Sequence, residues 1–221
     1  MVIHRFRHSR LLWGAALLGL AACGMLARLW LQQNHADTTA LPSLQQSGLP
    51  EGLLPMPTRA LPPFRLTDST GAIWDNKRLE GHYTLIFFGY TRCPDVCPQT
   101  LGLLAAMDRS LEEQRQKHRP QVLFVSIDPE HDQGAGLGDY VHYFSAAFAA
   151  ATAPQEQLRP LVRAMDAMFI KEDDGSFTHS ASAFLIDTKG RLIARLTPPF
   201  DPRATAAMLG PWLDRLAKRS S

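Results

Sequence analysis

Two cysteines with three residues between them are the side chains of this sequence best suited to redox or metal chemistry. Cys93 and Cys97 stand directly after an apolar run, residues 84–90, that predicts a strand buried on both faces. A thiolate is a nucleophile and a ligand for soft metals, and the N-terminus of a helix stabilises it, although Asp95 between the cysteines opposes that stabilisation. The pair can therefore close to a disulfide or bind a metal ion.

The proline after the second cysteine predicts where the pair lies. Pro98 is expected at the first helical position, and the residue before a proline avoids helical angles. Cys97 is therefore expected at the helix cap and Cys93 in the loop before it. A purely structural disulfide is the competing interpretation, because such bonds are common in exported proteins. The pair lies at the end of a strand, however, where sites of open α/β sheets gather, and it does not join distant elements.

The elements around the pair follow the order β-α-β-α-β-β-α, which is the order of a thioredoxin-like α/β fold. Apolar runs and turn residues predict strands at 84–90, 121–127, 182–187 and 191–196. Helical spacing of apolar residues predicts helices at 101–117, 137–148, 155–168 and 203–218. Residues 64–67 and 72–74 predict an N-terminal β-hairpin that extends this fold.

One histidine is placed to complete a metal site. Two thiolates alone are an incomplete ligand set for most metals, whereas thiolates with an imidazole suit copper or zinc. Among the eight histidines, His179 lies in a predicted loop that leads into the hairpin strand. In a thioredoxin-like fold this loop faces the cysteine loop. A loop histidine with a satisfied hydrogen bond is the competing interpretation.

The N-terminus predicts a membrane anchor. Three arginines in the first ten residues precede an apolar run over 11–31, which as a helix would extend about 30 Å, enough to cross a bilayer core. Positive charge before the run favours a cytoplasmic N-terminus and an exported remainder. The Leu-Ala-Ala-Cys sequence that ends at Cys23 also resembles a bacterial lipobox, in which Cys23 would be lipidated. Because the apolar run continues past Cys23, the uncleaved anchor is favoured.

The rest of the chain divides into a tether and one globular domain. Residues 32–62 are rich in polar residues and prolines, so they predict a flexible tether, and residues 63–218 predict the domain. The net charge is only +2, and the basic excess lies in the first ten residues. This distribution leaves no general basic face for nucleic acid.

Three segments of the domain resemble the Sco/SenC family of copper chaperones. They are GYTRCPDVCP at residues 89–98, VSIDPE at residues 125–130, and His179-Ser180 followed by FLID at residues 184–187. Two positions depart from the commonest family pattern. Arg92 stands where histidine is frequent, and Gln133-Gly134-Ala135-Gly136 replaces a Thr-Pro continuation.

The resemblance implies a thioredoxin-like domain that binds one copper ion, Cu(I) or Cu(II), through Cys93, Cys97 and His179. It also implies that the cysteines form a redox-active pair, and that Asp128 orients His179 or reaches Cu(II). The implied partner is cytochrome c oxidase subunit II or another copper-accepting respiratory protein. The family delivers copper to the dinuclear centre of that subunit or reduces its cysteines. The implied place is the bacterial inner membrane, with the domain facing the periplasm.

The strongest competing class is an enzyme, a membrane-tethered thiol–disulfide oxidoreductase or peroxidase. The same dithiol at a helix N-terminus would do that chemistry. A usual thioredoxin-like reductase has two residues between its cysteines, whereas this sequence has three.

Overall fold

In the computed structural model, the described residues 49–220 build a mixed eight-stranded sheet and a separate two-stranded sheet. The strands are β1 (Leu53–Ala60), β2 (Arg65–Asp68), β3 (Ile73–Asp75), β4 (Thr84–Gly89), β5 (Gln121–Ser126), β6 (Ala149–Thr152), β7 (Phe169–Lys171), β8 (Phe177–His179), β9 (Ala183–Ile186) and β10 (Arg191–Leu196). The α-helices of this part are α1 (Val96–Glu113), α2 (Gly134–His142), α3 (Gln155–Ala164) and α4 (Pro202–Ser220).

The strand order of the large sheet is β1-β10-β9-β4-β5-β6-β2-β3, with β4 at its centre. β4 runs parallel to β5 and antiparallel to β9, and all of its residues are buried. Its aromatic residues Phe87 and Phe88 pack inside, as does Phe124 of β5. The prediction of a strand buried on both faces is confirmed, and its carboxyl end leads directly into the cysteine segment.

The N-terminal hairpin is also confirmed. β2 and β3 pair antiparallel around a turn that contains Gly71, whose φ of 89° lies in the region that favours glycine. The hairpin joins the sheet through β6, a strand that the sequence analysis missed. β6 is three alanines and a threonine, and alanine is the strongest helix former, so nothing local indicates a strand.

The predicted tether is wrong for its last third. Residues 53–60 form β1, which pairs with β10 at the sheet edge, where Leu53 faces Leu196 and is buried. Pro55 and Pro57 favour a tether when the sequence is taken alone, but an edge strand tolerates prolines that a central strand would not. The register shifts between Pro55 and Arg59, which accommodates them.

The predicted anchor at residues 1–31, with Cys23, and the tether up to residue 48 lie outside the described residues. Within residues 49–220, no helix has the length and apolar character needed to cross a membrane.

The segment around His179 differs from the predicted loop. His179 ends β8, which pairs with β7 in a small antiparallel hairpin that places Phe169 opposite His179. Both strands are only three residues long, too short for a period-two pattern to emerge from the sequence. The histidine is therefore held by a hairpin and not by an irregular loop.

Candidate metal centre

The two cysteines lie at the junction between β4 and α1. The N–H of Cys93 donates to the carbonyl of Tyr90 at 3.2 Å, which folds the segment into a turn. α1 begins at Val96, with Asp95 as its cap. Cys97 is therefore the second helical residue, and the prediction that it is the cap is wrong. The proline still fits, because the third helical position also lacks an intrahelical partner for its N–H.

The environments of the two sulfurs differ. Cys93 is half-buried, whereas Cys97 is fully buried, and both are free thiols. Burial raises the pKa of Cys97 well above its ordinary value, and a backbone hydrogen bond from Tyr90 offsets only part of this rise. The N–H of Cys97 donates to Cys93 Sγ at 3.4 Å. Cys93 is therefore the accessible sulfur, stabilised by a helix N–H, and Cys97 is the inner one.

His179 faces both sulfurs with one nitrogen. Its Nε2 lies 3.3 Å from Cys97 Sγ and 3.9 Å from Cys93 Sγ. Its Nδ1 lies 3.0 Å from the carbonyl oxygen of Ser180, which assigns the proton to Nδ1 and leaves the Nε2 lone pair free. Burial lowers the pKa of His179, and the bond to Ser180 offsets part of this change. The imidazole is thus held in the neutral form that binds metals.

Aromatic rings and a glycine enclose the three donors. The ring of Tyr90 meets His179 edge-on at 5.9 Å, and Phe87 lies 6.1 Å away. The Tyr90 hydroxyl accepts the N–H of Phe177 at 3.3 Å and so ties β8 to the end of β4. A Cβ on Gly89 would come within 2.6 Å of Cys97 Sγ, so this position leaves room for the sulfur.

The donor set fits a soft ion with few ligands. Cys93, Cys97 and His179 offer donor atoms that all lie within 4.8 Å of one another, and among the described residues no fourth cysteine, histidine or carboxylate joins this group. A structural zinc site takes four protein ligands, whereas two thiolates and an imidazole suit Cu(I). The structure brings the three predicted residues together, although their ligand role stays a prediction.

Asp128 lies in a separate cluster. Its buried carboxylate accepts hydrogen bonds from Arg92 Nη2 at 2.7 Å and from His131 Nδ1 at 3.0 Å. Burial alone would raise the pKa of Asp128, but these two bonds outweigh it and lower the pKa. Among the contacts of the described residues, none joins Asp128 to His179. The expectation that Asp128 orients His179 is therefore wrong, since the carbonyl of Ser180 does so; its approach to Cu(II) stays a prediction.

Three site residues escaped the sequence analysis. They are Gly89, which makes room for Cys97; Ser180, which orients His179; and Asp132, which bonds the residue two before Cys93. Gly89 and Ser180 lie within segments that resemble the family, which was the one signal for them, whereas Asp132 lies two residues beyond the segment 125–130.

A family model described as SCO1/SenC matches residues 55–214. The SCO2-like protein of Rickettsia conorii is 30% identical over 138 residues, which cover 59% of this chain and 65% of that protein, just under two thirds of its length. The structure of Bradyrhizobium japonicum ScoI with copper bound is 30% identical, covers 70% of this chain and 100% of its own, and has a TM-score of 0.61.

A third comparison supports the fold alone. The structure of BsSco is 16% identical and covers 75% of this chain and 96% of its own, with a TM-score of 0.60. BsSco is described as a member of the Sco family of cytochrome c oxidase assembly proteins in which a disulfide switch was identified. The mixed α/β fold of this chain matches these structures.

Proposed function

The chain belongs to the SCO1/SenC family, and on that premise we propose that it binds one copper ion and carries it to a respiratory acceptor. The observation that supports the proposal is the convergence of two sulfurs and a neutral imidazole nitrogen within 4.8 Å. The ScoI of Bradyrhizobium japonicum, a 30% identical relative, is described with copper bound. Copper is the cargo of the site and not a resident cofactor.

The burial of the ligands suggests an order of transfer. Cys93 and His179 are half-buried and face the surface, whereas Cys97 is fully buried. An incoming ligand of the acceptor can replace Cys93 or His179 first while Cys97 still holds the ion. Because three-coordinate Cu(I) has an open position, each exchange proceeds without free copper being released.

We place this transfer in the assembly of cytochrome c oxidase, as BsSco is described for that process. The proposed acceptor is the dinuclear copper centre of subunit II or another copper-accepting respiratory protein. The proposed location is the extracytoplasmic face of the bacterial inner membrane. Three arginines followed by an apolar run at the N-terminus support this location.

A second candidate function is reduction of the acceptor's disulfide, which the asymmetry of the cysteines favours. The accessible Cys93 thiolate attacks the partner disulfide, forms a mixed disulfide and releases one partner thiolate. Cys97 then attacks Cys93 and releases the second partner thiol. Two electrons pass to the partner, and Cys93–Cys97 is left as a disulfide.

Titration of the full chain with Cu(I) against a competing chelator tests the proposal. The reduced chain is expected to bind one equivalent and the disulfide form none. His179→Ala is expected to weaken binding by at least about tenfold, because one of three ligands is lost. His131→Ala is the matched control, since His131 contacts Asp128 and not the sulfurs. Equal affinities of His179→Ala and the unmutated chain would remove His179 from the ligand set.

The same variants separate delivery from reduction. His179→Ala keeps both thiols, so it is expected to reduce an acceptor disulfide while delivering little copper. A variant that loses both activities equally would argue that the histidine serves the thiol chemistry too.

A further inference from the structure

A second buried carboxylate, that of Asp132, lies against the cysteine loop. Asp132 is 2% exposed. Its Oδ2 accepts the backbone N–H of Thr91 at 2.8 Å and the hydroxyl of Ser126 at 2.6 Å, and its Oδ1 accepts the hydroxyl of Thr91. One side chain therefore fixes the residue two before Cys93 to the end of β5.

The network extends to the neighbouring loop. Ser126, the last residue of β5, also accepts the N–H of Asp128 through its hydroxyl at 3.1 Å. The ends of β4 and β5, which run parallel, are thereby held together at the edge of the sheet where the cysteines emerge. Displacement of Asp132 would free the start of the cysteine loop from this edge.

The two buried carboxylates of this region differ in charge compensation. Asp128 bonds the guanidinium of Arg92, whereas the hydrogen-bond donors to Asp132 among the described residues are two hydroxyls and one backbone N–H, all neutral. The hydrogen bond to Asp128 is the main reason that the pKa of Arg92 is raised, and the charge of Asp132 adds to this rise through space. No cation in the described part of the chain bonds Asp132 directly, however, and burying a charge without a bonded cation is costly, so a neutral amide would fill the same space at lower cost. We therefore expect the negative charge of Asp132, and not only its hydrogen bonds, to have a function.

We propose that Asp132 is a positioning residue that holds the Cys93 loop and that its negative charge makes the site favour Cu(II) relative to Cu(I). The inference rests on the proposed copper function. Two thiolates and a neutral imidazole carry two negative charges, so the Cu(I) complex is negative by one unit and the Cu(II) complex is neutral. A nearby fixed negative charge repels the Cu(I) complex more. A Cu(I) ion held less tightly is easier to transfer.

The geometry places the carboxylate at the same end of the sheet as the inner sulfur. Ser126, which donates to Asp132, is the partner of Gly89 in the parallel pairing of β5 with β4. A Cβ on Gly89 would lie 2.6 Å from Cys97 Sγ, so this pair of residues separates Asp132 from the sulfur.

The test compares Asp132→Asn with the unmutated full chain in competition titrations for Cu(I) and for Cu(II). The ratio of Cu(I) to Cu(II) affinity is expected to rise by at least about tenfold, because a unit charge has an effect of this size even at about 12 Å when the effective dielectric constant is about 20. Thr91→Val and Ser126→Ala remove donors to Asp132 but keep its charge, so they are expected to leave the ratio within about twofold. Asp132→Glu, which keeps the charge, is expected to retain the ratio of the unmutated chain.

An unchanged ratio in Asp132→Asn, or an equal change in Thr91→Val, would overturn the electrostatic role. If the unmutated chain binds no copper, the proposed function itself fails, which is a different result. Should Asp132→Asn not fold, Thr91→Val tests the positioning role in the metal-free chain. The amides of Arg92 and Cys93 are expected to exchange hydrogen at least about threefold faster, because the loop loses one of its bonds to Asp132. Unchanged exchange would overturn the positioning role.

Discussion

At the scale of single residues, the site depends on one side chain that is absent. Gly89 ends β4, and a Cβ there would lie 2.6 Å from Cys97 Sγ and 2.8 Å from the ring of Phe124. Neither neighbour can move freely, since both are fully buried. The constraint is thus steric and does not come from backbone conformation.

We predict that Gly89→Ala weakens Cu(I) binding by at least about tenfold and lowers the free energy of unfolding by about 1–3 kcal/mol, as overpacking does. Chelator competition and urea unfolding measure the two effects. Gly102→Ala is the control, because a Cβ at this position of α1 meets nothing within 4 Å. Its helix is expected to gain stability. Normal copper binding by Gly89→Ala would show that Cys97 Sγ can bind the ion from another position.

Two tyrosines offer a matched pair for the hairpin that carries His179. Tyr90→Phe leaves the buried N–H of Phe177 without its acceptor, so we expect a loss of about 1–3 kcal/mol in the free energy of unfolding. Tyr140 also has a buried hydroxyl, but among the described residues this hydroxyl has no hydrogen-bond partner. Tyr140→Phe is therefore expected to be neutral or stabilising. Equal losses in the two variants, measured by urea unfolding, would contradict the role given to Tyr90.

Residue type, spacing and the family resemblance were enough to predict which three side chains converge, but not what surrounds them. Cys93 and Cys97 stand out by their type and spacing after a buried strand, whereas His179 was selected by its predicted place opposite the cysteine loop and by the family resemblance. Gly89, Ser180 and Asp132 act through a missing atom, a carbonyl and a hydrogen-bond network. None of these can be recognised from a residue's type alone, since each depends on a neighbour distant in sequence.

At the scale of elements, the predicted strands have a local sequence signal, whereas the missed strands depend on neighbours that are distant in sequence. β4 and β5 have long apolar runs whose burial is encoded locally, and they were predicted. β6 has alanines that favour helix, and β1 contains two prolines that an edge strand alone can accept. Their strand conformation comes from pairing with β5 and β10, which is tertiary information.

We predict that β1 contributes to the free energy of unfolding, whereas a flexible tether would not. Leu53→Ala is expected to lower the free energy of unfolding by about 3 kcal/mol, because the leucine is 3% exposed and its removal leaves a cavity. Thr58→Ala, at an exposed position of the same strand, is expected to change it by less than about 0.5 kcal/mol. Chemical denaturation of the full chain distinguishes the two. If the Leu53→Ala chain is as stable as the unmutated one, residues 53–60 behave as the predicted tether and not as a stabilising strand.

The β2–β3 hairpin has a carboxylate at its turn that links its stability to pH. Asp68 accepts the N–H groups of Thr70 and Ala72, each at 2.9 Å, and Arg78 Nη1 at 3.1 Å. Burial alone would raise its pKa, but the hydrogen bonds outweigh it and lower the pKa below the ordinary value of 3.8. The folded state therefore favours the ionised form. This stabilisation is fully present at pH values above the pKa of Asp68 in the unfolded chain. It is lost as the pH falls through the lower pKa of Asp68 in the folded chain.

Asp68→Asn is expected to lower the free energy of unfolding by about 1–2 kcal/mol near neutral pH, since bonds to a charged acceptor are lost. The difference between the two chains is expected to shrink between about pH 5 and about pH 2. Asp75→Asn serves as the control, because asparagine caps the following turn as well as aspartate does. Denaturation midpoints at several pH values give the comparison. If the stability difference between the unmutated chain and Asp68→Asn stays constant down to the lowest pH, the negative charge of Asp68 is not its source.

At the scale of the whole molecule, the site joins parts of the chain that are far apart in sequence. His179 follows Cys97 by 82 residues, and β8, which carries it, pairs with β7 and not with the large sheet. Side chains hold the hairpin against the sheet, since Phe169 and Phe177 are buried in the core and the Tyr90 hydroxyl accepts the N–H of Phe177. A metal ion bound by all three residues would connect the hairpin to the start of α1.

This connection predicts a linkage between copper and folding. An ion that binds only the folded chain stabilises it by RT ln(1 + [L]/Kd), about 2.7 kcal/mol at a free concentration 100 times Kd. For a domain of this size, that corresponds to a rise of roughly 5–10 °C in Tm. Cys97→Ser is expected to lose the rise, whereas His131→Ala is expected to keep it. In hydrogen exchange, Cu(I) is expected to protect β8 and the first turn of α1 together, because one ion restrains both. Protection of the α1 turn alone would mean that the cysteines hold the ion without the histidine, and the order of transfer proposed from the burial of the ligands would then have to begin at Cys93.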